Sequence, residues 1–381
     1  MGLHYARERN SDLGPDDHSN VSGLSPFVRR RLILEEELAQ RAISGHSDGQ
    51  ADKFVQEVLW RTYWKGWLEQ HPSVWSDYSQ TVVRDRETLS QNKSLEALYD
   101  NAIQGETGMD CFDFWARELV DTGYLHNHAR MWFASIWVFT FDLPWTLGAA
   151  FFLKHLLDGD PASNTLSWRW VSGRHTVGKT YLASASNIER FTNGRFSPGP
   201  NALADSARPP NSEERPEQKP LTGLPPVDWS KPSLVLITED DCCPADLIPQ
   251  TAHIVGLATL PVSRYRTSSG ASENVVRFEK EALDDAAQRT KASLPADAIQ
   301  LAEASQLADC ASTCGAEQII TPYLPVGYGR DHILASLENA ERTIPLHQVR
   351  RGWDDVFWPH ANAGFFKLKK KSGPLLKQFS M

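Results

Sequence analysis

One predicted helix places two opposite charges and two indole rings on the same face. In FVQEVLWRTYWKGWLEQ (residues 54–70), four side chains fall at positions i, i+3, i+4 and i+7, which are neighbours on an α-helix: Glu57, Trp60, Arg61 and Trp64. Indoles can stack on a planar molecule, and a nearby acid can bind its polar edge. The structural alternative is an exposed Glu–Arg pair beside buried tryptophans, so this helix alone does not decide between binding and packing.

Two later segments carry further polar groups. HNHARM (residues 126–131) is followed about thirty residues later by LLDGDPASNTLSWRW (residues 156–170). The second segment contains two acids, an amide and two indoles: Asp158, Asp160, Asn164, Trp168 and Trp170. Taken alone, Asp-Gly-Asp is a common turn at the end of a helix. The order of the segments is therefore more informative than any one of them.

Together with SGLSPF (residues 22–27) and EVLWR (residues 57–61), these segments resemble the successive signature blocks of the flavin-binding domain of the DNA photolyase and cryptochrome family. The resemblance covers about residues 5–196. It implies an all-helical domain that binds FAD and a function driven by light.

The resemblance also assigns residues to FAD. Hydroxyl and backbone N–H groups at residues 22–25 would hold the phosphates, although the same residues are equally suited to capping a helix. Amide side chains would face the reactive edge of the flavin ring, and an Arg–Asp ion pair would lie against it. The implied cofactor-binding residues are Tyr5, Ser22, Gly23, Leu24, Ser25, Arg61, Asn127, Arg130, Asp158, Gly159, Asp160 and Asn164.

Two further sets follow from the resemblance. The cavity that receives a flipped-out pyrimidine dimer would be lined by Glu57, Trp60, Met131 and Trp170. Electrons would reach the flavin through Trp168 and Trp145. The third position of that chain falls on Asn92, so Trp132, Trp137 or Tyr99 would have to replace it. Core packing is the alternative role for all of these rings.

The predicted function is that of a deoxyribodipyrimidine photolyase, in which excited reduced FAD passes an electron to a cyclobutane pyrimidine dimer in DNA. The alternative is a cryptochrome-like blue-light sensor that acts on a protein partner instead of repairing DNA. The net charge of -9 provides no basic field along the whole chain, so damaged DNA would have to be bound by a local pocket.

Several motifs suggest other chemistry. Residues 173–180 satisfy G-x-x-x-x-G-K-T, the phosphate-binding loop of nucleotide hydrolases, but that loop must follow a buried strand and SWRWVS is polar and aromatic. The five cysteines lack C-x-x-C spacing, so we expect free thiols and no metal site. His126 and His128 point to different faces of a helix, and neither is expected to be a metal ligand.

The chain of 381 residues is long enough for two domains. Helical spacing predicts a first domain over residues 1–196, and a proline-rich linker follows at 197–232. Short apolar runs alternating with helices predict an α/β domain with a mostly parallel sheet over 233–381. Photolyases carry such a domain before the flavin domain, so this one is interpreted as a permuted equivalent. Whether it binds a second, antenna chromophore is left open.

Composition adds two expectations. Thirteen tryptophans are unusual for this length and indicate aromatic chemistry or a large aromatic core. The first residues do not resemble a secretory leader, and no apolar run reaches the roughly eighteen residues of a membrane helix. We therefore expect a cytoplasmic protein.

Overall fold

The computed structural model describes residues 2–46, 49–176, 178–207, 215–294 and 296–379. Contacts between Cα atoms divide the chain into two compact units. The first, here called the helical unit, comprises Met1–Gly23, Ala42–Val55 and His71–Glu217. The second, here called the sheet unit, comprises Leu24–Arg41, Gln56–Gln70 and Gln218–Met381.

These units do not coincide with the predicted domains of 1–196 and 233–381. Residues 24–41 and 56–70, which the sequence analysis assigned to the helical domain, belong to the sheet unit. The physical reason is that their arginines and aromatic rings contact acids and rings that lie more than two hundred residues later in the sequence. In the predicted linker, none of the described residues lies in a helix or a strand.

The helical unit is built from the following helices: α1 (Leu3–Glu8), α5 (Ser73–Gln91), α6 (Lys93–Gln104), α7 (Asp110–Thr122), α8 (Asn127–Ser135), α9 (Trp145–His155), α10 (Pro161–Val171) and α11 (Ala185–Phe191). A π-helical turn, Ile136–Thr140, continues α8. Two helices contribute residues to both units: α3 (Glu35–Ser44) and α4 (Asp52–Gln70).

Aromatic side chains form the core of the helical unit. Its fully buried rings include Phe112, Trp115, Trp132, Phe133 and Trp137. The rings of Phe112 and Phe133 stack with their centroids 4.1 Å apart, which joins α7 to α8. Many of the thirteen tryptophans are thus explained by packing, as the structural alternative proposed.

The sheet unit contains α2 (Ser25–Arg29), α12 (Glu273–Ser293), α13 (Leu307–Thr313), α14 (Tyr328–Glu338), α15 (Gly352–Phe357) and α16 (Phe365–Leu376). Its strands are β1 (Ser233–Ile237), β2 (Ile254–Thr259), β3 (Ala298–Gln300), β4 (Gln318–Pro322) and β5 (Leu346–Val349). They pair in the order β3-β2-β1-β4-β5, and every pair is parallel. The predicted fold class, helical followed by α/β with a parallel sheet, is therefore confirmed.

Among the described residues, no helix is both long enough and apolar enough to cross a membrane.

Candidate functional site

An arginine on α8 is fixed by an acid that follows α9. The two terminal nitrogens of Arg130 each donate to one carboxylate oxygen of Asp158, at 3.0 Å in both cases. Its Nε donates to the Leu125 carbonyl at 2.9 Å. The Asp158 side chain is 5% exposed and that of Arg130 is 23% exposed. The guanidinium plane is therefore held rigidly while part of it stays accessible.

The Asp-Gly-Asp segment serves as a turn and as a helix cap together. The Gly159 N–H donates to the Leu156 carbonyl, which closes the end of α9. Asp160 is the N-cap of α10, and its carboxylate accepts from the Ser163 N–H at 2.8 Å. One turn later, the buried Asn164 donates through Nδ2 to the Ala149 carbonyl at 2.8 Å. The segment is therefore a turn and a helix cap, as its alternative interpretation predicted. Its first acid, Asp158, is also the partner of Arg130.

The first turn of α8 carries an exposed amide. Asn127 is its first residue, and its Nδ2 lies 3.9 Å from the Met131 sulfur. His126 caps the helix by accepting from the His128 N–H at 3.2 Å. The two imidazoles also contact the backbone carbonyls of Arg9 and Asn10. Burial lowers the pKa of His126 to about 4, so this ring is neutral at pH 7. Its role is to hold the backbone groups of Arg9 and His128 in place.

The two predicted electron-transfer tryptophans have different neighbours. Trp168 on α10 is buried and packs edge-on against Trp137, with centroids 6.2 Å apart. Trp137 in turn lies 5.9 Å from Tyr99. Trp145, at the start of α9, lies 5.7 Å from Tyr78. The tyrosine named in the sequence analysis therefore adjoins Trp137.

The remaining predicted residues of the helical unit are less clustered. Tyr5 is buried and its ring meets that of Phe54 edge-on at 5.4 Å. Gly23 has a φ of 64°, a left-handed conformation that favours glycine, next to Ser22. Trp170 is 36% exposed and stacks on Tyr181 at 5.7 Å. Asn92, the expected third electron-transfer position, caps α6 by accepting from the Leu95 N–H.

Five predicted site residues lie in the sheet unit. They are Leu24, Ser25, Glu57, Trp60 and Arg61. Ser25 begins α2. Glu57, Trp60 and Arg61 are half-buried on α4. The Trp60 ring is stacked on Phe365 of α16, with a centroid distance of 3.6 Å and an interplanar angle of 10°. One face of this predicted lesion-binding indole is therefore covered by the chain itself.

Sequence analysis missed a buried ionic cluster in the sheet unit, here called the arginine cluster, which consists of Arg29, Arg30 and Arg31 with their acids. Arg29 donates to Asp240 at 3.0 Å, and Arg30 lies 2.8 Å from Glu239. Arg31 makes a two-oxygen contact with Asp354, at 2.7 and 2.8 Å. Three successive arginines and an acidic run directly after the apolar β1 segment were the signals available.

The cluster lies where parallel sheets often bind ligands. Strand order reverses between β1 and β4, and the crevice outside the carboxyl ends of such strands is the usual ligand site. Here Glu239, just beyond β1, contacts Arg29, Arg30 and Arg266. Burial alone would raise the pKa of Glu239, but the three guanidiniums outweigh it and hold that pKa far below its usual range. The space beyond the carboxyl end of β1, where a ligand would usually bind, is therefore taken by arginine side chains of the chain itself.

The phosphate-loop motif does not have the required context. Gly173 follows α10, a helix, whereas the working loop must follow a buried strand. Val177, within the motif, lies outside the described residues. The five cysteines are free thiols, and Cys111, Cys242 and Cys310 are buried.

Residues 54–193 match the family described as the FAD binding domain of DNA photolyase. The chain is also similar to curated deoxyribodipyrimidine photo-lyases. The protein of Streptomyces griseus is 34% identical over 168 residues, which is 42% of this chain and 35% of the relative. That of Escherichia coli is 30% identical over 163 residues, or 42% and 33%. The chain thus spans about a third of the length of the curated relatives it matches.

Two solved structures are similar at a lower level. An archaeal photolyase from Sulfolobus tokodaii, whose structure contains two FAD molecules, is 24% identical with a TM-score of 0.40, over 49% of this chain and 41% of that one. A bacterial class III photolyase from Agrobacterium tumefaciens is also 24% identical with a TM-score of 0.40, over 50% and 39%.

Proposed function

We propose that the chain is a photolyase that splits cyclobutane pyrimidine dimers, because residues 54–193 match the FAD binding domain of DNA photolyase and the chain is similar to curated photo-lyases. The observation that carries the proposal is the pair of Arg130 and Asp158, with the Asp160 carboxylate two residues further on. These groups lie inside the matched range of 54–193.

The residues fit a flavin ring by the chemistry of their donors and acceptors. The Arg130 guanidinium is locked in one plane yet partly accessible, so it can meet the polar edge of a ring without reorganising. Asp160 is a buried carboxylate, which suits an N–H donor on that ring. Asn127 adds an exposed amide that can either donate or accept.

When bound and reduced, FAD would supply the light-excited electron that breaks the dimer. Arg130 would stabilise negative charge on its neighbour, and Asp158 would keep the guanidinium oriented and partly neutralised. Asn127 and Asn164 would tune the same environment without adding charge. Tyr5, Gly23 and the segment from Ser22 to Ser25 would hold the rest of the cofactor, together with Arg61 and Gly159.

Lesion binding would use the second set of residues. Glu57 would accept a hydrogen bond from the extruded bases, and Trp60 and Trp170 would stack on them, with Met131 filling the apolar space. Trp168 and Trp145 would pass electrons inward. The ring distances favour Trp137 and Tyr99 as a further route from Trp168.

Damaged DNA is the proposed partner, and the cytoplasm is the proposed location. Since the net charge is -9, recognition would depend on the lesion pocket more than on the phosphate backbone. A second chromophore, if one is carried, would need a place other than the crevice between β1 and β4, because arginines fill that crevice.

The test is to illuminate the reduced, flavin-loaded protein with an oligonucleotide that contains one thymine dimer and to measure recovery of the monomers. We expect recovery that depends on light, and its loss by at least about tenfold in Glu57→Ala. The control is Glu37→Ala, an acid on α3 outside the proposed set. No recovery from fully reduced protein would contradict the repair function.

One observation favours the second function, a cryptochrome-like sensor. Phe365 covers one face of Trp60, the face that a stacked base would need if it approached from that side. A sensor does not require an open lesion pocket. Under this alternative, illumination would change the flavin spectrum and the susceptibility of the protein to proteolysis while the dimer stays intact.

A further inference from the structure

The helical unit contains an open cavity of about 1030 Å³ that the proposed function does not use. One wall is a face of α5, another is the π-helical turn with the segment up to Trp145, and a third is the carboxyl end of α10. Residues 204–206 and 215–217 complete the lining. A cavity of this size can hold a molecule as large as a nucleotide.

Two uncommon backbone features lie in the same wall. The turn Ile136–Thr140 is π-helical, and such turns are rare and concentrate at functional sites. Asp142, two residues later, has a φ of 52°, a left-handed conformation that is strained for a residue other than glycine. Strain of this kind persists where the surrounding structure imposes it, and it places the Asp142 side chain in the cavity lining.

The lining combines three kinds of recognition group. Tyr78 and Trp145 provide rings 5.7 Å apart. Arg174 lies 5.9 Å above the Trp145 ring, and Arg169 and Arg215 add two more guanidiniums. The carboxylates in the lining are those of Asp77, Asp85, Asp142, Asp205 and Glu217. Burial lowers the pKa of Arg174, and the charge of Arg169 lowers it further, so the two cations destabilise one another.

This combination restricts the ligand. A simple anion would be repelled by the five acids, and a cation would be repelled by the arginines. A ring with N–H donors can bind a carboxylate through two hydrogen bonds, while an anionic group on the same molecule binds a guanidinium. Trp145 and Tyr78 offer surfaces for the ring itself.

We propose that this cavity binds a planar nitrogen heterocycle that has N–H donors on one edge and carries an anionic group, the chemistry of a guanine nucleotide. Acids of the lining accept from the ring edge, and Arg169 and Arg174 hold the anionic group. Trp145 lies in the wall, so the ligand contacts a residue that the proposed function assigns to electron transfer.

Equilibrium dialysis of the purified protein, with its flavin content measured in the same samples, tests the proposal. The probes are GMP, AMP, guanosine and inorganic phosphate. GMP should bind at least about tenfold more tightly than AMP, whose ring edge lacks the adjacent pair of N–H donors that a carboxylate can accept from, and than guanosine, which lacks the anion. Equal binding of GMP and phosphate would overturn the proposal, and so would no binding of GMP. Because flavin content is read separately, its loss would count against the FAD site and not against this cavity.

Three variants locate the binding. Arg174→Gln should weaken the binding of GMP by about tenfold or more. Asp142→Asn should weaken the binding of GMP but not that of AMP. This change preserves the backbone conformation, because asparagine also adopts the left-handed region. Arg190→Gln, an exposed arginine on α11, is the matched control and should bind as the unaltered protein does. If Arg174→Gln and Asp142→Asn both bind GMP as tightly as the control does, the ligand lies elsewhere and the assignment is wrong.

Discussion

The two units use arginine in contrasting ways. In the helical unit, Arg130 pairs with Asp158 and keeps 23% of its side chain exposed. In the sheet unit, the side chains of Arg29, Arg30 and Arg31 are at most 3% exposed, and acids surround them. A partly open guanidinium can still bind a ligand, whereas a closed cluster has already used its donors. The comparison separates a residue that is proposed to bind a ligand from residues that serve the fold.

The closed cluster has a positional consequence within the sheet unit. Residues 24–41 carry the arginines and also Leu24 and Ser25, which the family resemblance assigns to FAD. Residues 56–70 carry Glu57 and Trp60 and are joined to the rest of the unit by further bonds, such as that from Trp353 to the Thr62 hydroxyl at 3.0 Å. These contacts fix both segments relative to the rest of the sheet unit.

The largest effect on stability is expected from Arg31→Ala. This change removes the cation that contacts both carboxylate oxygens of the buried Asp354, and breaking a buried pair in this way costs about 3–5 kcal/mol. Denaturant unfolding, followed by a probe in the sheet unit, measures it.

The matched control is Lys280→Ala, which removes an exposed pair with Asp284 on α12 and should leave the free energy of unfolding nearly unchanged. If Arg31→Ala destabilises as little as this control, the arginine cluster does not hold the unit together.

Arg130→Gln is expected to act mainly on the cofactor. Loss of the charge should weaken the binding of FAD by at least about tenfold. The free energy of unfolding should fall by less than in Arg31→Ala, because the Arg130 side chain is partly hydrated. Titration of the flavin-free protein with FAD measures the affinity, and denaturant unfolding measures the free energy of unfolding. Arg130→Lys should be intermediate, since it keeps the charge but loses the two-point contact. Unchanged FAD affinity in Arg130→Gln would remove the distinction between the two units.

Gly148→Ala tests how tightly Trp168 is packed. A Cβ at residue 148 would lie 2.3 Å from the Trp168 ring and 2.9 Å from that of Trp137, so the rings must move. We expect a destabilisation of about 1–3 kcal/mol and slower photoreduction of the flavin. Gly373→Ala in α16 is the control: it has no heavy atom within 4 Å of the added Cβ and should be neutral or slightly stabilising. Equal effects of the two changes would contradict the close packing.

The smallest effect is a difference in pH dependence. Burial, with the nearby charge of Asp12, raises the pKa of Glu118 in the helical unit to about 8. The folded state therefore binds a proton more tightly than the unfolded state, and this stability is lost as pH rises through about 8. Glu239 has the opposite sign: its lowered pKa contributes stability that is lost as pH falls.

Glu118→Gln should remove the loss of folding stability that the unaltered protein shows as the pH rises. Between about pH 6 and about pH 9 the unaltered helical unit should lose roughly 1–2 kcal/mol that the variant keeps. Thermal unfolding at both pH values measures this difference. A variant whose stability follows the same pH curve as the unaltered protein would show that Glu118 does not carry the effect.

Local signals predicted much of the fold. Gly123 ends α7 in the left-handed conformation, with a φ of 71°, and a glycine directly after a helical run is a common signal for such an end. The apolar runs marked four strands, but β5 was missed because LHQV is only half-buried and has no apolar run. Asp110 is of a residue type that often caps helices, yet Met109 holds the N-cap position of α7 and the Asp113 carboxylate accepts from the Thr107 and Gly108 N–H groups.

The site divides in the same way. The pair of Arg130 and Asp158, which are 28 residues apart, was implied by the family resemblance. The stack of Trp60 on Phe365 joins residues about three hundred positions apart, and neither local pattern contains a signal for the other. The same holds for Arg31 and Asp354. Long-range partners of this kind also explain why residues 24–41 and 56–70 fall in the sheet unit.

The most direct test of the central claim is the amount of flavin bound by the purified chain. The protein should release about one FAD per chain when it is unfolded, or should take up that amount when FAD is added, and its visible spectrum should be that of a flavin. A colourless protein that binds no added FAD would contradict the claim that the groups around Arg130 hold this cofactor.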